Sequence, residues 1–85
     1  MKHASPAALD ALEPLLADLR TLAGLAEKSR GVFYRKGRAF LHFHEDPKGL
    51  FADVRETAGL DFERIDITEA AGRARLLAVA RSRAG

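Results

Sequence analysis

Polar and apolar side chains alternate between Val32 and Ile67, and the alternation is clearest in Arg38–His44. A period of two residues predicts β-strands, because successive side chains of a strand point to opposite faces of the sheet. Before this region five leucines recur at intervals of three and four residues, which predicts a helix: Leu12, Leu15, Leu16, Leu19 and Leu22. After it, a closing helix is predicted with Leu76, Leu77 and Val79 on its inner side. The chain therefore reads as a helix, a run of strands and a second helix.

Turn signals divide the alternating region into four predicted strands. Lys36-Gly37 has the length of a two-residue hairpin loop, although lysine tolerates positive φ poorly. Asp46-Pro47-Lys48-Gly49 has the residue order of a type I turn. A further loop surrounds Gly59. The predicted strands are Val32–Arg35, Arg38–His44, Leu50–Arg55 and Phe62–Ile67.

The helical segments have recognisable ends. Ser5-Pro6 is a typical helix opening, but Pro14 lacks a backbone N–H and interrupts the pattern that follows. We therefore expect residues 1–11 to fray or to form a separate turn, and a helix over 12–24 that ends at Gly24. With a sheet over 32–67 and a closing helix over 68–82 capped by Thr68, residues 1–85 form one domain. The predicted fold is α/β of the α+β type, a two-layer sandwich of a helix, a four-stranded antiparallel sheet and a helix.

The register of the predicted sheet follows from its hydrophobic pattern. If four residues join the second and third strands, Phe43 lies opposite Ala52 and His42 lies opposite Asp53. A slip of one residue would move every side chain of a strand to the other face and mix both faces. The same rule, applied to the first hairpin and the last strand, predicts an apolar face that carries Val32, Tyr34, Ala39, Leu41, Ile65 and Ile67.

The opposite face is predicted to be rich in aromatic and basic side chains. Four of the five phenylalanines would point away from the helices, and four arginines would lie around them: Arg35, Arg38, Arg55 and Arg64. A symmetric partner that covers this face would make the protein a homodimer, and a chain of 85 residues gains much from such burial. The residues expected at this partner face are Phe33, Phe40, Phe51, Phe62, Arg38, Arg55 and Arg64.

Nucleic-acid binding is an alternative use of the same face. Aromatic side chains on an open sheet stack on bases, while arginines contact phosphates. Asp53 and Asp66 on this face weaken that interpretation, and Val32–Gly37 lacks the glycine–aromatic pattern of ribonucleoprotein folds. The arginines that follow Glu69 suggest either an anionic partner or simple complementation of a helix dipole.

A divalent metal site is a second alternative. His42 and His44 are two residues apart, so their imidazoles project from the same face, and Asp53 supplies a carboxylate opposite them. A pair of hydrogen-bonded surface histidines would show the same spacing. The sequence leaves the two interpretations open.

Composition excludes several classes of function. The chain contains no cysteine, so thiol redox chemistry and thiolate zinc sites are excluded. No serine lies in a nucleophile elbow, and no glycine-rich phosphate loop is present. We therefore expect a binding or interaction module without catalytic residues and without a cofactor other than the divalent metal. No apolar run approaches the ~20 residues of a membrane span, and no secretion signal is evident, so we expect a cytoplasmic protein with no membrane partner.

The block Gly31–Arg55 resembles that of a group of short, uncharacterised bacterial proteins. Over residues 12–82 the order of elements is also similar to that of the MmcQ/YjbR family, whose small α/β fold resembles frataxin-like CyaY. The resemblance implies that fold and a suggested binding of DNA. It is a resemblance of layout, since this chain is shorter and lacks the tryptophan that such proteins often carry. It therefore assigns no site residues.

Overall fold

The computed structural model describes all 85 residues as an α+β fold with three helices and one six-stranded antiparallel sheet. The strands follow the order β2-β3-β4-β5-β6, and the short β1 pairs with the end of β4. The sheet was expected to have four strands, and it has six. The elements are β1 Lys2–His3, α1 Pro6–Ala11, α2 Glu13–Arg20, β2 Leu25–Ser29, β3 Val32–Arg35, β4 Arg38–Asp46, β5 Gly49–Arg55, β6 Phe62–Asp66 and α3 Ala70–Ala84.

The central hairpin β4–β5 has the predicted register. His42 pairs with Asp53 and Phe43 with Ala52, and the pairing continues to Asp46 and Gly49. The Asp46 carboxylate accepts a hydrogen bond from the Lys48 N–H at 2.7 Å, which holds the turn. Local turn chemistry and the hydrophobic period agree here, so the register could be predicted.

The hairpin β3–β4 departs from strict alternation. Lys36 and Gly37 both have positive φ, 52° and 78°, as a tight primed turn requires. Beyond the turn, Tyr34 pairs with Ala39, but the register then shifts and Phe33 pairs with Leu41. An extra residue in one strand reverses the facing of the side chains that follow. Phe33 therefore lies on the apolar face.

The expectation that four phenylalanines face away from the helices is wrong for two of them. Phe33 is 1% exposed and Phe40 is 3% exposed, and both belong to the buried core. Phe51 and Phe62 remain partly exposed. On the first hairpin, Val32, Tyr34 and Ala39 are partly exposed as well, although the apolar face was predicted to include them.

The N-terminal residues, expected to fray, form β1 and α1. The Ser5 hydroxyl accepts a hydrogen bond from the Ala8 N–H at 3.2 Å, so the predicted helix opening is confirmed. A break at Leu12 separates α1 from α2, and Pro14 lies in the first turn of α2. Proline is tolerated there because the first helical N–H groups have no partner within the helix. The helix predicted over 12–24 is thus α2 alone, and it ends at Arg20.

The closing helix begins at Ala70, and Thr68 does not cap it. Its N-cap residue is Glu69, which makes no side-chain capping bond. The Thr68 hydroxyl instead accepts a hydrogen bond from the Leu50 N–H at 3.0 Å, and so joins the chain before α3 to β5. Threonine before a helix predicts a cap, but the Leu50 N–H of β5 competes for the same hydroxyl.

One cluster of buried side chains joins the helices to the sheet. It has 14 members, in which leucines of α2 meet paired residues of β4, β5 and β6 together with side chains of α3. None of the helices is long and apolar enough to cross a membrane. We use the name open face for the opposite side of the sheet, which carries His42, His44, Phe51, Asp53, Arg55, Phe62 and Arg64.

Candidate metal centre on the open face

Two neighbouring strands bring together the three side chains predicted to hold a metal. His42 and His44 come from β4, and Asp53 lies opposite His42 on β5. The His42 Nδ1 and His44 Nε2 atoms are 3.0 Å apart, and His44 Nε2 is 3.2 Å from Asp53 Oδ2. One potential ligand atom from each residue falls within 4.8 Å of the others. The predicted group is therefore assembled.

Arg64 binds Asp53 from the other side. Its Nε donates to Asp53 Oδ1 and its Nη2 to Oδ2, both at 2.8 Å. Such a bidentate contact is stronger and geometrically more specific than a single hydrogen bond between a guanidinium and a carboxylate. The Arg64 hydrogen bonds lower the pKa of Asp53, although burial of the carboxyl opposes them. Asp53 is only 8% exposed, so this pairing also compensates its charge in the sheet.

The tautomer of neutral His44 follows from its surroundings. Its Nδ1 is buried and has no hydrogen-bond partner. A proton on that atom would be a buried donor without an acceptor, whereas a proton on Nε2 can be donated to His42 or to Asp53. Neutral His44 therefore carries its proton on Nε2. Burial lowers the pKa of His42, and the neighbouring His44 lowers it further, so His42 favours the neutral imidazole.

Two further rings surround the histidine pair. The His3 ring stacks on His44 with centroids 5.0 Å apart, since β1 pairs these two residues across the strands. The Phe62 ring lies 5.2 Å from the His42 ring. Arg55 in turn lies over Phe62, with its guanidinium carbon 4.6 Å from the ring centroid. These contacts limit the movement of the imidazoles and shield one side of the group from water.

Two of the three separations between the donor atoms suit a small divalent ion, and the third is at most 4.8 Å. Zinc bonds of about 2.0–2.1 Å in a tetrahedron place neighbouring ligand atoms about 3.3–3.4 Å apart. The two measured separations, 3.0 and 3.2 Å, are close to that value. Two imidazole nitrogens and one carboxylate oxygen are also a donor set that zinc and nickel accept. Two features oppose metal binding. Arg64 is hydrogen-bonded to the Asp53 carboxylate, and the proton of neutral His44 is on Nε2.

The residues predicted for the partner face are divided by the structure. Phe33 and Phe40 lie in the core, while Phe51 and Phe62 stay on the open face. Arg38 is exposed at the hairpin turn. Arg55 and Arg64 lie near the histidine group, but each is engaged, with Phe62 and Asp53 respectively.

Sequence reasoning missed His3 and the contact between Arg64 and Asp53. No local pattern indicates that Lys2–His3 pairs with β4, since two residues carry no period. The second contact had a signal, because β5 and β6 place Asp53 opposite Arg64. The faces of the last strand were predicted, but its residue-by-residue pairing with the third predicted strand was not, and that pairing places these opposite charges side by side.

Comparison of the chain with protein-family models, with curated proteins and with solved structures found no match.

Proposed function

We propose that this protein is a small binding module for a divalent metal ion of the zinc or nickel type. The ligands would be His42, His44 and Asp53 on the open face of the two-layer sandwich. The observation that carries the proposal is the convergence of their donor atoms, 3.0 and 3.2 Å apart, in a largely buried position. Three protein ligands leave one position of a tetrahedral ion free for water or another ligand.

The same contacts indicate a modest affinity. An ion that binds the carboxylate must displace Arg64, at least from one oxygen. An ion on His44 Nε2 also moves the ring proton to Nδ1, where the buried N–H has no acceptor. A buried unpaired donor costs about 1–3 kcal/mol, or roughly tenfold to a hundredfold in the dissociation constant. We therefore expect binding in the micromolar range.

Calorimetric titration of the full chain with zinc and nickel chloride tests the proposal. We expect one ion per chain, strong loss of binding in His44→Gln, and binding that tightens several-fold in Arg64→Gln because the competing cation is gone. Arg81→Gln is the matched control, since it removes the same charge from an exposed position on α3. A titration without heat for both ions, or equal binding in the wild type and His44→Gln, would overturn the proposal.

Self-association through the open face is a second candidate. It is supported by Phe51 and Phe62, which remain partly exposed beside the histidines although two of the expected phenylalanines are buried. The likeness to the MmcQ/YjbR family, its DNA binding and a cytoplasmic location stay predictions.

A further inference from the structure

A second site lies at one end of the sheet, among basic side chains. A cavity of about 270 Å³ opens between the β3–β4 turn, the loop that follows β5 and the last turns of α3. Half of its ten lining residues carry a positive charge, and one carries a negative charge. The charged residues are Arg35, Lys36, Arg38, Arg55, Arg83 and Glu56.

Most of this positive charge has no carboxylate partner. Arg83 is paired with Glu63 at 2.7 Å. Arg35 and Arg55 donate only to backbone carbonyls, at 3.2 Å to Ala84 and 2.7 Å to Ala39. Lys36 and Arg38, at the hairpin turn, form no ion pair. Four uncompensated cations thus face the same cavity as Glu56, which leaves three excess positive charges.

The hydrogen bonds to carbonyls also orient the two guanidinium groups. Each is held through Nε, and Arg55 is held further by the Phe62 ring beneath it. An Nη group of each arginine is left to donate elsewhere, because Nη2 of Arg55 and both Nη atoms of Arg35 make no hydrogen bond within the chain. Planar, fixed donors of this kind match the oxygens of a phosphate group. Holding like charges together without an anion costs repulsion that a bound anion would remove.

We propose that this cavity binds the phosphate group of a small phosphorylated molecule. A volume of about 270 Å³ admits a phosphate with only a few further atoms, near the lower limit of ordinary ligand pockets. Its walls include only two hydrophobic residues, Ala39 and Phe40. A ligand would therefore be recognised by its charge rather than by apolar groups. A concave site of this size suits a single phosphate group better than an extended nucleic-acid backbone.

Titration of the full chain with inorganic phosphate and pyrophosphate, at constant ionic strength and with EDTA present, tests this site separately from the metal group. We expect both anions to raise the melting temperature and pyrophosphate to bind more tightly. Arg38→Gln and Lys36→Asn should each weaken binding about tenfold, since each removes one charged donor. Asparagine accepts positive φ readily, so the second variant keeps the turn.

Arg81→Gln is again the matched control, because Arg81 does not line the cavity. It should bind both anions as the wild type does. No stabilisation by either anion would overturn the proposal, as would an equal loss in Arg81→Gln. Binding of a single-stranded oligonucleotide in the absence of phosphate or pyrophosphate binding would also overturn it and favour a nucleic-acid surface instead.

Discussion

At the scale of single residues, Phe33 shows how one irregular pairing redirects a side chain. Strict alternation from the Lys36-Gly37 turn places Phe33 opposite Phe40 and outside the core. The shift between β3 and β4 pairs it with Leu41 instead, and the ring becomes fully buried. Burying a phenylalanine side chain contributes about 1.5–3 kcal/mol, a large part of the stability of so small a domain.

Replacing Phe33 by alanine should therefore cost about 3–5 kcal/mol, the usual range for a buried aromatic side chain. Urea unfolding measures this change. Phe51→Ala is the matched control, because Phe51 is only partly buried on the open face, and we expect it to cost less than half as much. Equal losses in the two variants would contradict the assignment of Phe33 to the core.

At the scale of elements, a network of ion pairs connects α2 with β2. The Glu27 carboxylate accepts hydrogen bonds from Arg20 Nε at 2.6 Å and from the Gly31 N–H at 2.9 Å. Arg20 also contacts Glu13, so one guanidinium joins the helix to the edge strand. The hydrogen bond from Arg20 lowers the pKa of Glu27 below its usual 4.5. This network stabilises a short strand that buries little apolar surface.

Because the folded pKa of Glu27 is lowered, its contribution to stability is present above pH 4.5 and is lost as the pH falls through the folded pKa. We expect Glu27→Gln to lose about 1 kcal/mol at neutral pH, a value that allows for partial exposure. The unfolding free energies of the variant and the wild type should converge as the pH falls through the lowered folded pKa of Glu27. Glu56→Gln, which removes a carboxylate without an ion pair, should show no such convergence.

The approach of α3 to β6 depends on Gly72. A Cβ atom at this position would lie 1.9 Å from the Asp66 carbonyl oxygen. Alanine favours a helix over glycine by about 1 kcal/mol, but the clash with backbone cannot be relieved by a rotamer change. We expect Gly72→Ala to destabilise the fold by about 1–3 kcal/mol in thermal unfolding. Stabilisation by this variant would show that α3 lies farther from the strand.

A control within the same helix separates packing from propensity. Ala71 is exposed and precedes Gly72 directly. Ala71→Gly should cost only about 1 kcal/mol, the ordinary difference in helix propensity. A larger loss in Gly72→Ala than in Ala71→Gly would assign the effect to the close contact with Asp66.

At the scale of the whole molecule, the open face combines the metal group with Phe51 and Phe62, and the basic cavity lies at the sheet end. Phe62 links the two, since its ring lies close to both His42 and Arg55. The substitution Phe40→Asp is unsuitable for testing self-association, because Phe40 is in the core and a buried charge there would unfold the chain. A test of self-association must therefore use an outward residue.

If two chains associate through the open face, sedimentation equilibrium should give the mass of a dimer for the wild type and of a monomer for Phe51→Asp. A buried charge without a partner opposes such an interface strongly. Leu60→Asp is the control, since Leu60 is 70% exposed in the loop after β5 and lies outside the open face. A monomeric wild type, or an unchanged mass in Phe51→Asp, would rule out a dimer that forms through the open face.

Several features of this protein rest on local chemistry and could be predicted without the structure. The turn at Asp46–Gly49 and the alternation beside it were sufficient to place His42 opposite Asp53, and Ser5-Pro6 was sufficient to begin a helix. Each of these features involves residues close together in the chain, so local turn geometry and the hydrophobic period are sufficient to predict it.

Other features depend on how the whole chain packs: which phenylalanines are buried, the stacking of His3 on His44, and the contact of Arg64 with Asp53. The shift beside Phe33 and the pairing of β1 depend on which arrangement buries more apolar surface across the whole sheet. The buried apolar surface depends on contacts between residues that are far apart in the chain, so no short segment of the sequence predicts it. The basic cavity arises for the same reason, because residues 35–38, residues 55–59 and Arg83 meet only when the sheet and α3 have packed together.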